Sequence, residues 1–324
     1  MSAASTPSRQ GMGLREETLG MWLGVLGVAI FALTLPMTRL ATGTQAAPQL
    51  SPWFVTLGRA ALAGVLSLIF LLATRSPLPK AAHWKPLAFA VLGNALGYPL
   101  LLAFALRVVS AGHAAVVTAL LPLATAAVAA WVLHQRARLG FWLCAIAGSV
   151  LVIAFSMLRA HQGGSAFGFE WADVLLIGAV LAASFGYIYG AQVTPALGAE
   201  QVICWVCVLA LPFTLPGAIW LWPQQPVATS AWVGFGYVGI FSMWIGFFAW
   251  YRGLALGGAL RVSQTQLLQP FLSILAAVPL LGESIDTLTI GFAAAVVATV
   301  VAGKKLSQAR PAPLAPSPLP NATP

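Results

Sequence analysis

Long apolar runs dominate this sequence and restrict it to a membrane fold. The stretch from Leu254 to Gly303 contains two such runs, each close to membrane-spanning length, separated by the polar turn Gly282-Glu283-Ser284. An α-helix needs about 20 apolar residues to cross the hydrocarbon core of a bilayer. The chain is 60% hydrophobic and only 7% charged, whereas soluble domains are roughly a quarter charged. We therefore predict an all-α integral membrane protein.

The apolar pattern of the second half occurs once before, about 148 residues earlier. At that offset Leu106 matches Leu254 and Pro122 matches Pro270. A nearly constant offset across half a chain indicates a duplicated unit of about 150 residues. Ten membrane spans are predicted, near residues 19–38, 52–73, 85–106, 112–133, 139–158, 171–190, 200–221, 232–251, 259–281 and 285–303.

The duplication divides the chain into four regions. Residues 1–18 are predicted to form a cytoplasmic N-terminal arm, and residues 304–324 a disordered, proline-rich cytoplasmic tail. Between them, 19–158 and 171–303 are the two five-helix repeats.

The distribution of lysine and arginine predicts the orientation in the membrane. With the N-terminus in the cytoplasm, 12 of the 16 basic residues fall on the cytoplasmic side, three fall outside (Arg39, Arg107 and Arg159), and Arg59 lies within the second span. Positive charge concentrates on the cytoplasmic side of membrane proteins, so both termini are predicted there. Because each repeat has an odd number of spans, the two repeats must be inverted relative to each other, as in many secondary transporters.

The ends of the two repeats carry a recognisable motif. Leu268-Gln269-Pro270 is followed by Leu281-Gly282-Glu283 in the second repeat, and Leu120-Leu121-Pro122 occupies the equivalent place in the first, where His134-Gln135 replaces Gly-Glu. These residues, with Pro52, Leu57 and Arg59 in the second span, resemble the EamA-type carriers of the drug/metabolite transporter (DMT) superfamily. Within that superfamily the chain is most similar to YddG-type amino-acid exporters.

The resemblance implies the EamA/DMT fold, with ten transmembrane helices in two inverted repeats around a central cavity. It also implies a secondary transporter in the inner membrane of a bacterium, exporting amino acids or related small metabolites by alternating access. A broad-specificity drug or metabolite exporter of the same fold is the alternative. A membrane-embedded enzyme has less support, because the sequence contains no catalytic constellation within its spans.

Polar side chains inside the predicted spans are the candidates for substrate binding. In the ninth span Gln266, Gln269 and Ser273 share one helical face, and Thr118 takes the position equivalent to Gln266 in the fourth. Amides and hydroxyls offer the donors and acceptors that suit a zwitterion, although hydrogen bonding between helices is an alternative role for each. The predicted substrate-binding residues are Thr34, Thr38, Asn94, Tyr98, Thr118, Ser184, Tyr187, Ser242, Trp244, Gln266 and Gln269.

The few charges inside the spans narrow the choice of substrate. No Asp or Glu lies at the centre of a predicted span, which argues against antiport of cationic drugs. The absence of paired basic residues argues against phosphorylated substrates. Arg59 could bind a substrate carboxylate or backbone carbonyls near the outer surface, and its position two turns into the span favours the second role. His113 could relay protons or simply lie at the membrane interface.

The expected partners are a small-molecule substrate and the lipid bilayer. The net charge of +9 arises from basic residues in loops and at span ends, so no nucleic acid is expected. No cofactor or metal is expected either. A monomer is the simplest assembly, and the oligomeric state and any coupling to protons are left open.

Overall fold

The computed structural model describes residues 9–132, 139–162, 171–257 and 262–307, and helices make up nearly all of these ranges. Within them seven helices are long and apolar enough to cross a membrane. Three shorter apolar helices join them, at Trp142–Phe155, Thr265–Leu281 and Thr287–Gly303. The predicted all-α membrane fold is confirmed.

Within the described ranges the helices can be grouped into ten segments, which we number along the chain. Segments 1 to 5 are Arg9–Ala32 with Thr34–Thr42, Pro52–Ala73, Ala81–Ala105, Ala111–Val132 and Leu139–Gln162. Segments 6 to 10 are Trp171–Leu197, Ala199–Trp220, 229–257, 263–281 and Thr287–Ser307.

Local signals in the sequence fix several segment ends. The Ser51 hydroxyl accepts a hydrogen bond from the Phe54 amide at 3.1 Å, and the Ser110 hydroxyl accepts one from the His113 amide at 3.0 Å. Both serines therefore cap free amides at the start of a helix. Segment 9 ends where Gly282 adopts a left-handed φ of 68°, a conformation that glycine reaches without strain.

The segments pack in pairs that obey a twofold exchange of the two halves. Segment 2 packs on 7, segment 4 on 9, and segment 5 on 10, so each of these pairs combines equivalent segments. Segment 1 packs on 8, and the equivalent pair, 6 on 3, is also present. This pairing is what two inverted repeats of five segments produce.

Helix irregularities also repeat between the halves. Segments 3 and 8 each contain a π-helical turn, at Val91–Gly97 and Tyr237–Ile245. Segments 4 and 9 restart as α-helices at Leu121 and Gln269, each of which precedes a proline. The restart residues Leu121 and Gln269 differ by the 148-residue offset of the sequence repeat, and so do the C-terminal ends of the two π-turns. Because π-turns often occur at functional sites, the broken helices direct attention to the middle of the bundle.

Glycines allow the closest approach between segments. A β-carbon on Gly93 of segment 3 would lie 2.4 Å from the carbonyl oxygen of Ala182 in segment 6. Another on Gly253 of segment 8 would lie 2.8 Å from the amide nitrogen of Gly24 in segment 1. Both contacts exclude any larger residue, as in other close helix packings within membranes.

Large apolar side chains cover much of the outside of the bundle. Leu72, Trp131, Ile146 and Phe213 are each more than 60% exposed. Apolar surface of this extent needs lipid or another apolar partner to cover it. The apolar exterior therefore agrees with a multi-pass membrane protein.

Candidate substrate pocket

A small cavity lies in the middle of the bundle, where segments of both halves meet. Its volume is about 20 Å³, which is room for one or two water molecules. Segments 1, 2 and 3 line it from the first half, and segments 6, 8 and 9 from the second. Its lining residues are Phe31, Thr34, Arg59, Asn94, Tyr98, Tyr187, Ser242, Met243, Phe247 and Gln269. We call it the central pocket.

A short hydrogen-bond chain crosses the central pocket between the halves. Arg59 Nη2 donates to Ser242 Oγ at 3.1 Å, and Ser242 Oγ lies 2.8 Å from Thr34 Oγ1. Arg59 is only 3% exposed, and its Nε has no hydrogen-bond partner. Within the described part of the chain, no carboxylate lies within 4 Å of this guanidinium. The pocket therefore contains a buried cation that has no counter-ion among the described residues.

Asn94 adds a second polar group that lacks a partner. Its Oδ1 is buried and makes no hydrogen bond, and it lies on the π-turn of segment 3. Gly186 of segment 6 makes room for this side chain, because a β-carbon there would lie 2.3 Å from Asn94 Oδ1. Ser242 is 148 residues further along, on the π-turn of segment 8. The two π-turns thus contribute one polar side chain each.

Apolar and aromatic side chains form the remaining lining. The rings of Phe31 and Phe247 are 5.1 Å apart, and Tyr187 contacts Phe247 at 6.3 Å between centroids. Met243 completes this wall. A ligand bound here would meet hydrogen-bonding groups and an apolar surface together.

Six of the eleven predicted residues line the central pocket: Thr34, Asn94, Tyr98, Tyr187, Ser242 and Gln269. Thr118 and Gln266 line an adjoining crevice between segments 4 and 9, which Gln269 also borders. Gln269 therefore connects the two spaces. The structure brings these eight residues into one region that both halves share.

The other three predicted residues have different surroundings. Ser184 donates to the Val180 carbonyl at 2.7 Å and accepts from Thr125 at 3.2 Å, so it links segments 6 and 4. Thr38 is 1% exposed and does not line the central pocket.

Trp244 was expected to face the substrate site, but it lies away from the central pocket. Its ring packs against Phe248 at 4.9 Å and Phe70 at 6.4 Å, and it does not line the pocket. The reason is helical geometry: residues two apart point to different sides of a helix. With Ser242 facing the pocket, Trp244 faces segment 2.

Arg59 does not have the surroundings expected from its place in the sequence. Its side chain bonds a hydroxyl of the other half and lines the pocket, whereas the favoured expectation was carbonyls near the outer surface. Counting turns from Pro52 gives a depth along segment 2 but says nothing about which segment faces the side chain. The general rule that an intramembrane arginine marks a functional site would have selected it.

A second polar pocket lies at one end of the bundle, which we call the Glu283 end. Its volume is about 500 Å³. The Glu283 carboxylate accepts from the amides of Ala111 at 2.8 Å and Gly112 at 3.1 Å, and Arg39 Nε is 3.5 Å away. Arg39 also donates to the carbonyls of Leu106 and Val109. One carboxylate therefore joins segments 1, 4 and 9.

A buried histidine–aspartate pair borders the same end pocket. His113 Nε2 lies 2.6 Å from Asp173 Oδ1, and both residues are almost fully buried. The pair connects the first turns of segments 4 and 6. His113 therefore has a carboxylate partner from the other half.

No group of His, Cys, Asp and Glu suited to a metal ion occurs among the residues that the structure describes. Cys204 and Cys207 are buried in segment 7 as free thiols. The polar groups of the central pocket are hydroxyl, amide and guanidinium groups, kinds that occur in binding sites for small organic molecules.

Comparison with known proteins finds the same duplication within this chain. The EamA-like transporter family matches residues 18–158 and again residues 170–302. The uncharacterized transporter YdeK of Bacillus subtilis (strain 168) is 38% identical over 296 residues, which are 90% of this chain and 100% of that protein. A solved crystal structure matches with a TM-score of 0.59 at 21% identity, covering 89% of this chain and 97% of its own. At that identity the structural match shows the fold alone.

Proposed function

Because the chain belongs to the EamA-like transporter family of the DMT superfamily, we propose that it exports amino acids or related small metabolites across the cytoplasmic membrane of a bacterium. The observation that carries this proposal is the central pocket, where polar side chains of both halves surround a cavity in the middle of an apolar bundle. Transporters with inverted repeats bind their substrates where the halves meet.

The chemistry of the pocket suits a zwitterion with an apolar side chain. Among the described residues, Arg59 Nε is a donor without a partner and Asn94 Oδ1 is an acceptor without one. The wall of Phe31, Met243 and Phe247 would contact an aliphatic or aromatic side chain. Binding sites for small molecules combine a few polar groups with an apolar lining in this way.

Transport would proceed by alternating access. A cavity of about 20 Å³ is too small for an amino acid, so the segments must separate before substrate enters. With both termini in the cytoplasm, as the basic residues predict, the Glu283 end faces outward. The contacts of Glu283 with segments 1 and 4 would then close the outer side and break when it opens.

A broad drug or metabolite exporter is the second candidate. The apolar wall favours it, because a flexible side chain such as Met243 adapts to different ligands. Competition by lipophilic drugs against amino-acid transport would support this alternative.

Transport by purified protein in liposomes tests the proposal directly. Liposomes loaded with unlabelled leucine should accumulate labelled leucine by exchange, whereas protein-free liposomes should not. A panel of neutral amino acids should show the same exchange with different efficiency. Absence of exchange for every amino acid would refute the proposed substrate class. Repeating the assay with a pH gradient distinguishes proton-coupled from facilitative transport.

A further inference from the structure

We infer that Arg59 is the carboxylate receptor of the central pocket, so that the carrier accepts compounds with a free carboxylate and rejects organic cations. This inference rests on the proposed carrier function and defines the substrate class of the same site. Its starting point is the environment of the guanidinium. Arg59 is 3% exposed and lines the pocket, and its Nε lacks a hydrogen-bond partner.

A buried cation in a membrane protein is normally paired, because its transfer from water into an apolar interior is costly. Two pairs of charges in this protein follow the rule. Glu283 lies beside Arg39, and Asp173 lies beside His113. Arg59 differs, because no carboxylate of the described chain lies within 4 Å of it. A substrate carboxylate in the pocket would supply the missing negative charge.

The hydrogen-bond chain fixes the orientation of the guanidinium. Ser242 Oγ accepts from Arg59 Nη2 and is itself 2.8 Å from Thr34 Oγ1. With Nη2 held in this way, Nε remains a donor without a partner among the described residues. Planar guanidinium groups bind carboxylates through parallel N–H donors, which a lysine ammonium cannot reproduce. Ser242 and Thr34 are therefore positioning residues for Arg59.

The same charge acts against the alternative class of substrate. An organic cation placed beside Arg59 would meet an unscreened like charge in a pocket lined by Phe31, Met243 and Phe247. Like-charge contacts that exclude a wrong ligand are a common source of specificity. An amine without a carboxylate would also leave Arg59 unpaired. Both effects favour carboxylates, with or without an amino group.

Competition by leucine analogues tests the inference in the wild-type protein. The assay measures exchange of labelled leucine in proteoliposomes against leucine, its 2-oxo acid, leucinamide, isopentylamine and tetraphenylphosphonium. The 2-oxo acid retains the carboxylate and should compete, whereas the amide, the amine and the lipophilic cation should need about 100-fold higher concentrations or more. Leucinamide competing as well as leucine would overturn the inference and leave the carrier function intact.

Thermal unfolding in detergent gives a second readout that does not need transport. Leucine and the 2-oxo acid should raise the melting temperature of the wild-type protein, and leucinamide should not. If no amino acid exchanges in liposomes, the carrier proposal fails, but the change in melting temperature still tests whether Arg59 binds carboxylates. Stabilisation by the oxo acid supports the inference. No stabilisation by any carboxylate overturns it.

Variants of Arg59 then locate the effect. Arg59→Gln should abolish the stabilisation by the oxo acid, and Arg59→Lys should retain part of it because the charge remains. Arg252→Gln is the matched control, since Arg252 lies on the same segment as Ser242 with its side chain 67% exposed. Oxo-acid stabilisation that persists in a folded Arg59→Gln protein would contradict the assignment.

Discussion

The central pocket and the pocket at the Glu283 end both contain buried charged groups, but only those at the Glu283 end have oppositely charged partners among the described residues. At the Glu283 end, the Glu283 carboxylate has two amide donors and Arg39, and His113 pairs with Asp173 at 2.6 Å. In the central pocket Arg59 donates to one hydroxyl, that of Ser242, and has no carboxylate nearby among the described residues. A paired buried charge already has its partner within the fold, whereas burying a charge without a partner is costly and an oppositely charged ligand can offset that cost.

The two pockets also differ in size. The pocket at the Glu283 end is about 500 Å³ and the central pocket about 20 Å³. The larger space is bordered by charges that already have partners, so volume alone does not identify the substrate site. Our proposal places the substrate at the smaller pocket, which would have to expand on binding.

The largest effect is expected at Arg59. Arg59→Gln should lower leucine exchange by about 100-fold, because a buried charge-assisted contact to the substrate is lost. The free energy of unfolding should not fall, and should rise by about 1 kcal/mol, because a buried cation without a counter-ion is removed. Exchange in liposomes and chemical unfolding in detergent measure the two quantities. A fall in the free energy of unfolding would instead make Arg59 a structural residue, and the two pockets would then not differ in this respect.

The next largest effect is expected at the buried pair of the Glu283 end. His113→Phe preserves ring packing against Phe155, which lies 5.0 Å away, but it removes the 2.6 Å contact to Asp173. The free energy of unfolding should fall by about 2 kcal/mol, since a buried carboxylate loses a partner. His83→Phe, at a half-buried helix start, is the control and should change stability less. Equal effects at the two histidines would show that the pair contributes nothing special.

A smaller effect is expected from the positioning serine. Ser242→Ala removes the acceptor that orients Arg59 Nη2 and should lower leucine exchange by about tenfold, the value of one hydrogen bond to a charged group. Ser242→Thr retains the hydroxyl and should recover much of the activity. The concentration dependence of exchange should show the change mainly in apparent affinity. Failure of Thr to exceed Ala would indicate that packing, not the hydroxyl, determines the effect.

The smallest effect is expected at Glu283. Glu283→Gln removes the charge but leaves one side-chain oxygen to accept from the amides of segment 4. Because that oxygen can keep one amide donor, the free energy of unfolding should fall by only about 1 kcal/mol. Glu200→Gln serves as the control, since Glu200 lies 4.0 Å from Arg252, which is largely exposed. If the free energy of unfolding fell further than in His113→Phe, Glu283 would be the residue that contributes most to the stability of this end.

The sequence by itself determined the fold class. Apolar runs of membrane-spanning length, the 148-residue repeat and the paired prolines Pro122 and Pro270 predicted an all-helical membrane protein with a duplicated unit. These signals are local or periodic, so they need no knowledge of neighbours. Asn94 and Ser242 could also be selected, because a polar side chain in an apolar helix must face something polar.

Only the tertiary structure decided which polar residues meet. Asn94 and Ser242 lie on the π-turns at Val91–Gly97 and Tyr237–Ile245 and line the pocket. Trp244, two residues beyond Ser242, packs on Phe70 instead. The long side chain of Arg59 reaches a partner 183 residues away. Hydropathy reports how deep a residue lies in the membrane, but the direction of its side chain depends on the packing of the surrounding helices.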